Sequence, residues 1–273
     1  MGDFTQRVRL PLYILRHPAN EGRRLQALGR AASFQVRSRL SGKPTIATVG
    51  NQRMWVNVGS ASATKVVYGS PPDWPEMQAW KRLLHPGELF IDVGANIGAY
   101  SLWAADLGAR VIAIEPDPTA AERLRANLAL NPGIDVEVVE AAASTVDGIT
   151  SLTTGLDSKN HLGEGQEVRA VTLDRVASAS ASIAGIKIDV EGAERLVLQG
   201  SMQLLRRRAV RVFQIEWNSA SEALLGEDRG AVRSLLEKHG YRLFRADARG
   251  ELIPTYAAGY GPDVFAVAPA STR

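Results

Sequence analysis

The stretch Phe90-Ile-Asp-Val-Gly-Ala-Asn-Ile-Gly-Ala-Tyr100 constrains this chain more than any other feature. A short apolar run, Leu89 to Val93, reads as a buried strand interrupted by one acid, Asp92. Glycines follow at Gly94 and Gly98, and a helix-like segment runs from Tyr100 to Leu107. Strand, glycine turn and helix in that order bring backbone N–H groups and a helix N-terminus to the strand's carboxyl end, where open α/β sheets hold nucleotide-like ligands. The spacing is Gly-x-x-x-Gly, not the Gly-x-Gly-x-x-Gly of dinucleotide binders. Turns need glycine whatever they bind, so the weight falls on what surrounds the pair.

Val111-Ile-Ala-Ile-Glu115 is a second apolar run ending in an acid, 17 residues after Gly98. In a βαβ unit, an acid there can accept hydrogen bonds from both ribose hydroxyls of an adenosine group. Nothing between Gly98 and Glu115 resembles the Lys-Ser/Thr of a phosphate-binding loop, which argues against a nucleoside triphosphate. An acid-lined pocket suits a cationic sulfonium better than a phosphate. With Asp92 two residues before Gly94, the first stretch resembles motif I of the class I S-adenosylmethionine-dependent methyltransferases; the resemblance implies S-adenosylmethionine as the cofactor, and the bland alternative is an empty Rossmann-like sheet.

The 273 residues allow one large domain, or one domain with an N-terminal extension. With 45% hydrophobic and 22% charged residues, the composition is that of an ordinary globular protein. The absence of cysteine excludes structural disulfides, thiolate metal sites and cysteine nucleophiles. No apolar run approaches the roughly 18 residues of a membrane span. Leu10–Leu15 is too short, and too close to Arg9 and Arg16, for a signal peptide. A cytoplasmic location is the expectation. Charge is unevenly placed: residues 1–43 hold nine Lys/Arg against Asp3 and Glu21, a net +7 within an overall +3, leaving −4 for the rest. Such an arm could meet an anionic membrane surface or an acidic carrier, or could simply be a solvated helical face. It lacks aromatics interleaved at base-stacking spacing, so no nucleic-acid partner is expected.

The arm reads as two helices, Thr5–Arg16 and Glu21–Leu40, split by His17-Pro-Ala-Asn20. A hairpin of Thr45–Val49 and Met54–Val58 follows, then the rigid turn Pro71-Pro-Asp-Trp-Pro75 and a helix over Glu76–Leu84. The domain boundary is placed at residues 85/86. Beyond it, strands at 89–93, 111–115, 136–140, 184–189, 210–216, 241–246 and 263–268 alternate with helices near 99–107, 118–130, 192–206 and 220–239. That pattern predicts a parallel α/β sheet ending in an antiparallel hairpin. Residues 144–183 form a long insertion, with β-like pieces at Ser151–Thr154 and Val168–Leu173 around the polar run Asp157-Ser-Lys-Asn-His-Leu-Gly-Glu-Gly165. Its place at the carboxyl side of the sheet suits an acceptor-binding lid.

Ile186-Lys187-Ile188-Asp189-Val190-Glu191-Gly192-Ala193-Glu194 is the second informative motif. Period-two alternation puts Lys187 and Asp189 on one strand face, with Glu191 in the turn beyond. Methyl transfer to oxygen needs an aligned approach and a group to take the departing proton. Carboxylates at the cofactor's edge can supply it or bind a metal, whereas an acid near a helix N-terminus can also be a cap. Asp189 and Glu191 are read as catalytic and Glu194 as a cap. His161 in the insertion is a candidate base against the commoner surface histidine. Glu216, ending the strand Val212–Glu216, is a pocket candidate, and Trp217 belongs to either the pocket wall or the core.

Asp92-Val-Gly-Ala-Asn-Ile-Gly98, Glu115-Pro-Asp117, Val171-Thr-Leu-Asp174 and Lys187-Ile-Asp-Val-Glu-Gly-Ala-Glu194, in this order, resemble the FkbM family of methyltransferases. His17-Pro-Ala-Asn20 and the Ala61–Asp73 segment are similar to N-terminal regions of members. The resemblance implies a class I methyltransferase fold, a Rossmann-like seven-stranded sheet with helices on both faces. It also implies S-adenosylmethionine-dependent O-methylation of a sugar, glycolipid, polyketide or related secondary metabolite, free or lipid- or carrier-linked. Carried over by position, Asp92, Gly94, Asn96 and Gly98 would surround the methionine part of the cofactor and Glu115 would hold the ribose. Pro116 and Asp117 would flank the adenine, with Ala142 and Ala143 offering backbone contacts near it, and Asp189 and Glu191 would face the methyl. The residues leave open a Mg²⁺-assisted O-methyltransferase, an N-methyltransferase and a non-catalytic binding protein on the same fold. No spacing demands a metal.

Overall fold

The structure, a computed structural model, describes residues 10–57, 61–153, 161–226 and 228–269. Helix α1 is seen over residues 10–16 and a single 3-10 turn over Pro18–Asn20. Then come α2 (Arg24–Ser41), the hairpin β1 (Thr45–Val49) and β2 (Gln52–Val56), α3 (Ala61–Tyr68) and α4 (Trp74–Leu83). The alternating part runs β3 (Leu89–Val93), α5 (Ala99–Asp106), β4 (Arg110–Ile114), α6 (Pro118–Ala129), β5 (Val136–Val139). β6 (Ala142–Ala143) leads into the insertion, which contributes β7 (Gly148–Leu152), β8 (Gln166–Val171) and α7 (Leu173–Val176). The chain closes with β9 (Ile183–Ile188), α8 (Glu194–Gln199), α9 (Met202–Arg207), β10 (Val210–Ile215), α10 (Ala220–Leu225), α11 (Gly230–Lys238), β11 (Arg242–Ala246), β12 (Leu252–Pro254) and β13 (Val264–Val267).

The main sheet has the order β12-β11-β13-β10-β9-β3-β4-β5. The five strands from β5 to β10 are parallel, and β13 lies antiparallel between β10 and β11. All seven strands read from the sequence are present. The eighth, β12, is a three-residue edge strand beside β11 that periodicity does not reveal. Strand order reverses between β3 and β9, so their connections leave in opposite directions and open a crevice at the carboxyl ends. β3 is buried along its whole length, as a central parallel strand must be. Its alternation divides two cores. Leu89, Ile91 and Val93 pack toward α8, α9 and α11, while Phe90 packs toward α4 and α5.

The arm and hairpin are part of that second core: Ile14, Phe34, Met54, Val66 and Tyr68 share one apolar cluster with Trp80, Phe90 and Leu102. Two asparagines of α6 and its C-terminal turn fasten the hairpin's open edge. Trp55 N donates to Asn127 Oδ1 (2.8 Å), and Asn131 both accepts from Arg53 N and donates to Arg53 O (2.7 Å each).

Several expectations are corrected in detail. α3 was not foreseen as an element, and the hairpin's second strand begins at Gln52. The single helix expected over 192–206 is two, parted at Gly200 and Ser201; a Cβ at Gly200 would lie 1.9 Å from the Ser144 carbonyl oxygen, so only glycine fits where insertion and helix meet. The helix expected over 220–239 is also two, broken where the chain turns to bury Arg229. In the insertion β7 and β8 form a small sheet with β6, each beginning a few residues before the expected piece. Residues 5–9 of the first predicted helix and 157–160 of the polar run, Asn160 among them, lie outside the described residues.

The α6 clamp is testable. We expect Asn131→Ala to lower unfolding stability by about 1–3 kcal/mol through the stranded Arg53 groups, read by urea denaturation. Cofactor affinity should be unchanged. Wild-type stability would contradict the role given to this contact.

Candidate active site

The carboxyl ends of β3, β4, β9 and β10 converge on one crevice. After β3, Gly94 N and Ala95 N both donate to Ile114 O (2.9 and 3.1 Å), tying the glycine turn to β4. Gly94 has φ +77°, and a Cβ there would lie 1.8 Å from the Asp189 carbonyl oxygen. No other residue fits this approach of the two switch-point loops. Asn96, in the left-handed region at φ 50°, holds that geometry by accepting from Ile97 N (2.8 Å) through its own side chain. Glu115 then locks both turns: Oε2 accepts from Asn96 N (2.7 Å) and Oε1 from Asp117 N (2.9 Å). A carboxylate offers about four acceptor positions, so two remain for a vicinal diol. Burial pushes the Glu115 carboxyl up to about 7, with the two backbone N–H groups opposing.

A polar row crosses the sheet beneath this loop. Asp92, Lys187 and Gln214 occupy partnered positions on β3, β9 and β10, which places them on one face. Asp92 accepts from Ser101 Oγ (2.7 Å). Lys187, 4% exposed, donates to Asp189 Oδ2 (2.9 Å) and lies 4.6 Å from the centroid of the Tyr100 ring. Burial alone would lower the Lys187 pKa, but Asp189 and Asp92 together outweigh it and hold the ammonium charged. Gln214 donates to Tyr100 Oη (3.0 Å) and Asp263 Oδ2 (2.7 Å) and accepts from Trp80 Nε1.

Beyond the strand ends, Asp189, Glu191 and Glu216 place carboxylate oxygens within 4.8 Å of one another. Glu191 sits at φ 51°, a sparsely populated conformation for such a residue. The turn is held by Gly192 N donating to Glu194 Oε1 (3.1 Å), while the other Glu194 oxygen is paired with buried Arg229. Arg229 in turn donates to Asn218 O (3.1 Å) after β10. Glu194 is thus a buried fastener of the loop, in keeping with a capping role. Burial, then the neighbouring charges of Asp189 and Glu191, push the Glu216 carboxyl up to about 9. The shift favours the protonated carboxyl, which can donate a hydrogen bond, a role distinct from that of a base.

Two cavities that share Gly94, Asn96, Asp189 and Glu191 in their linings lie in this crevice. The first is lined by Gly94, Asn96, Glu115, Pro116, Asp117, Ala142 and Ala143, with Asp189 and Glu191 at its inner end. The second is lined by Asp92, Gly94, Asn96, Tyr100, Lys187, Asp189, Glu191 and Glu216, and on its far side by Lys65, Pro72 and Asp73. Gly98 lines neither and serves as N-cap of α5. Two expectations change. His161, with Leu152 and Leu162, lines the first cavity, not the second, because the β7–β8 hairpin folds over the Glu115–Asp117 side. The described part of the insertion therefore lies over the Glu115–Asp117 end of the crevice. The far wall of the second cavity comes instead from the N-terminal extension. Trp217 is fully buried, its indole donating to Ala257 O (3.3 Å), and lines neither cavity.

Tyr100, Gln214, Asp73 and Lys65 escaped the sequence reading. A polar residue within the run Val210–Ile215 was the available signal for Gln214. Asp73 was visible only as part of a turn.

The fold and site define a class I S-adenosylmethionine-dependent methyltransferase. Residues 92–243 match the Methyltransferase FkbM domain, and the chain belongs to that family. A 56-residue stretch is 43% identical to ribosomal protein L11 methyltransferase of Geobacillus thermodenitrificans, covering 20% of this chain and 18% of that relative's length. Among solved structures, the tRNA (uracil-54, C5)-methyltransferase of Pyrococcus abyssi in complex with S-adenosyl-L-homocysteine aligns with a TM-score of 0.46 at 12% identity, over 82% of this chain and 44% of that one. The precorrin-6y C5,15-methyltransferase of Geobacter metallireducens aligns with a TM-score of 0.45 at 14% identity, over 83% and 100%. The cofactor is S-adenosylmethionine, and the residues present fit it. Asp92 Oδ1 is buried with no hydrogen-bond partner among the described residues, and Glu115 keeps free acceptor positions beside its two backbone donors.

Glu115→Ala is expected to weaken S-adenosylmethionine binding by about ten- to a hundredfold, the equivalent of losing roughly 1.5–3 kcal/mol of hydrogen bonding. Calorimetry on the folded variant reads this directly, and an unchanged affinity would remove Glu115 from the cofactor site.

Proposed function

We propose that the protein methylates a hydroxyl of a sugar, glycolipid, polyketide or related secondary metabolite, and that the second cavity receives this acceptor. The observation that carries the reading is the carboxylate cluster Asp189, Glu191 and Glu216 at the junction of the two cavities. In this reading the first cavity takes the nucleoside. Glu115 accepts from the ribose hydroxyls, Pro116, Asp117, Ala142 and Ala143 border the adenine, and Asp92 with the Gly94–Gly98 loop surrounds the methionine part. When bound, the cofactor supplies a methyl group on a sulfonium. The chain's own residues orient the acceptor oxygen and take its proton. Asp189 or Glu191 accepts that proton as the new O–C bond forms, and protonated Glu216, whose Oε2 is buried with no partner among the described residues, offers a hydrogen bond to the acceptor. Asp73 and Lys65 supply acceptor and donor groups suited to a polyhydroxylated molecule.

The reading predicts a separation of turnover from binding. Asp189→Asn and Glu191→Gln are expected to lower kcat by on the order of 10²–10⁴, with cofactor affinity within a few fold of wild type. Wild-type turnover in both would defeat the proposal. Metabolite comparison of a deletion strain supplies the acceptor, as species lighter by one CH₂. The same three carboxylates have the oxygen chemistry and spacing to hold a hard cation, which favours a second reading, a Mg²⁺-assisted transfer. EDTA-sensitive activity restored by Mg²⁺ selects it.

The Glu216 proton gives a pH signature. Its folded-state value near 9 lies above the ordinary 4.5, so the native state holds this proton across that interval. Native stability from this group is greatest at low pH and falls as pH rises through the window. We expect kcat/KM to decline on the alkaline side near pH 9, and Glu216→Gln to flatten that limb. A limb unaltered by the substitution would assign the titration elsewhere.

A further inference from the structure

Helix α2 is apolar on two opposite faces. Ala27, Ala31, Phe34 and Ser38 are buried against the body of the protein. Diametrically opposite, at helical spacing, lie Leu25, Gly29, Ala32, Val36 and Leu40, all exposed, with Leu25 and Leu40 each 83% accessible. An apolar stripe of this kind on a solvent-facing helix marks a candidate interaction surface. Arginines bracket it on both sides, Arg24 and Arg39 along one flank and Arg30 and Arg37 along the other, and α2 contains no acidic residue.

Beside the second flank, between α2, β1 and α3, lies a groove of about 550 Å³. Arg23, Arg30 and Arg37, spaced seven residues apart, project along it, and no carboxylate lines it. None of the three makes an ion pair among the described residues. Arg30 is fixed by neutral acceptors only, Val67 O (3.0 Å) and Asn20 Oδ1 (3.2 Å), so its charge is positioned but uncompensated. Phe34, Val66 and Val67 give the groove an apolar floor.

We propose that the outward face of α2 docks the protein on an anionic membrane surface, with lipid phosphates entering the arginine groove. An apolar stripe bounded by cations, with an adjoining basic recess, matches the acyl–headgroup boundary of an anionic leaflet. Charge complementarity selects this occupant over a second copy of the chain, since stripe-to-stripe association would bring two sets of arginines together. No helix among the described residues is long and apolar enough to cross a membrane, so the contact is peripheral. The segment 65–73 has one side on each site: Val66, Val67 and Ser70 line the groove, and Lys65, Pro72 and Asp73 line the second cavity. Docking there brings a membrane-borne acceptor within one short segment of the carboxylates. No residue of α2 lines the catalytic cavities, so failure of this surface leaves the methyl-transfer reading standing.

The test is sedimentation of the full chain with vesicles of phosphatidylcholine alone or mixed with phosphatidylglycerol. Variants are Leu25→Glu/Leu40→Glu and Arg23→Glu/Arg37→Glu, with helix content by circular dichroism and S-adenosylmethionine affinity confirming that each is folded. The expected result is partitioning about tenfold or more stronger on the anionic vesicles, reduced about tenfold or more by either double substitution and weakened by salt. Equal binding to both vesicle types, or wild-type binding by either variant, would overturn the proposal. So would binding of inorganic phosphate, or of an acidic protein, without any binding to anionic vesicles.

Discussion

Lys187 lies nearly fully buried between two acids, hydrogen-bonded to Asp189 on its own chain direction and opposite Asp92 across the sheet. Removing a charge from water in this way is costly, and the attraction of its partners offsets the cost without a large net gain in stability. What the arrangement supplies is position. The ammonium draws Asp189 toward β3, where the Asp189 backbone N donates to Val93 O (3.0 Å) and its carbonyl oxygen fills the space that Gly94 leaves empty. Loss of the lysine alone would leave buried Asp92 without a counter-charge beside the partly exposed Asp189, a destabilising change. The cofactor loop on one side of the switch point and the carboxylate cluster on the other therefore depend on one ion pair.

A second set of contacts brings the N-terminal extension into the site. Asn20 donates to Ile14 O (2.9 Å) and Tyr68 O (2.7 Å), and the His17 imidazole reaches Pro72 O (3.2 Å). These bonds pin the segment that presents Lys65, Pro72 and Asp73 to the second cavity. Burial lowers the His17 pKa, in keeping with a neutral ring serving as a structural link. The extension is thus a wall of the catalytic crevice that shares its core with the sheet.

Much of this was legible in the chain because short-range chemistry dictates it. The run Leu89–Val93 carries its own burial, and Gly94 and Gly98 carry positive φ values. Glu115 and Asp189 end strands, where topology guarantees convergence. The placement of His161 was not legible. Which side of the crevice an insertion covers depends on how β8 pairs with β6 and with β7, registers that no local pattern encodes. Likewise Asp73 and Lys65 reach the site only through packing of the extension across α5, and no local pattern encodes that. The raised Glu216 carboxyl depends on burial and on acids distant in sequence, Asp189 and Glu191 foremost, so it could be read only from the assembled cluster.

The central claim is that nucleoside and transferring methyl lie on a line from Glu115 to the Asp189–Glu191–Glu216 cluster. A crystal structure with S-adenosylhomocysteine tests it most directly. The account predicts ribose hydroxyls within hydrogen-bonding distance of the Glu115 carboxylate, adenine against Pro116, Asp117 and Ala142, and the sulfur directed toward Asp189 and Glu191. A ribose lying away from Glu115, or a sulfur directed away from the cluster, would contradict it.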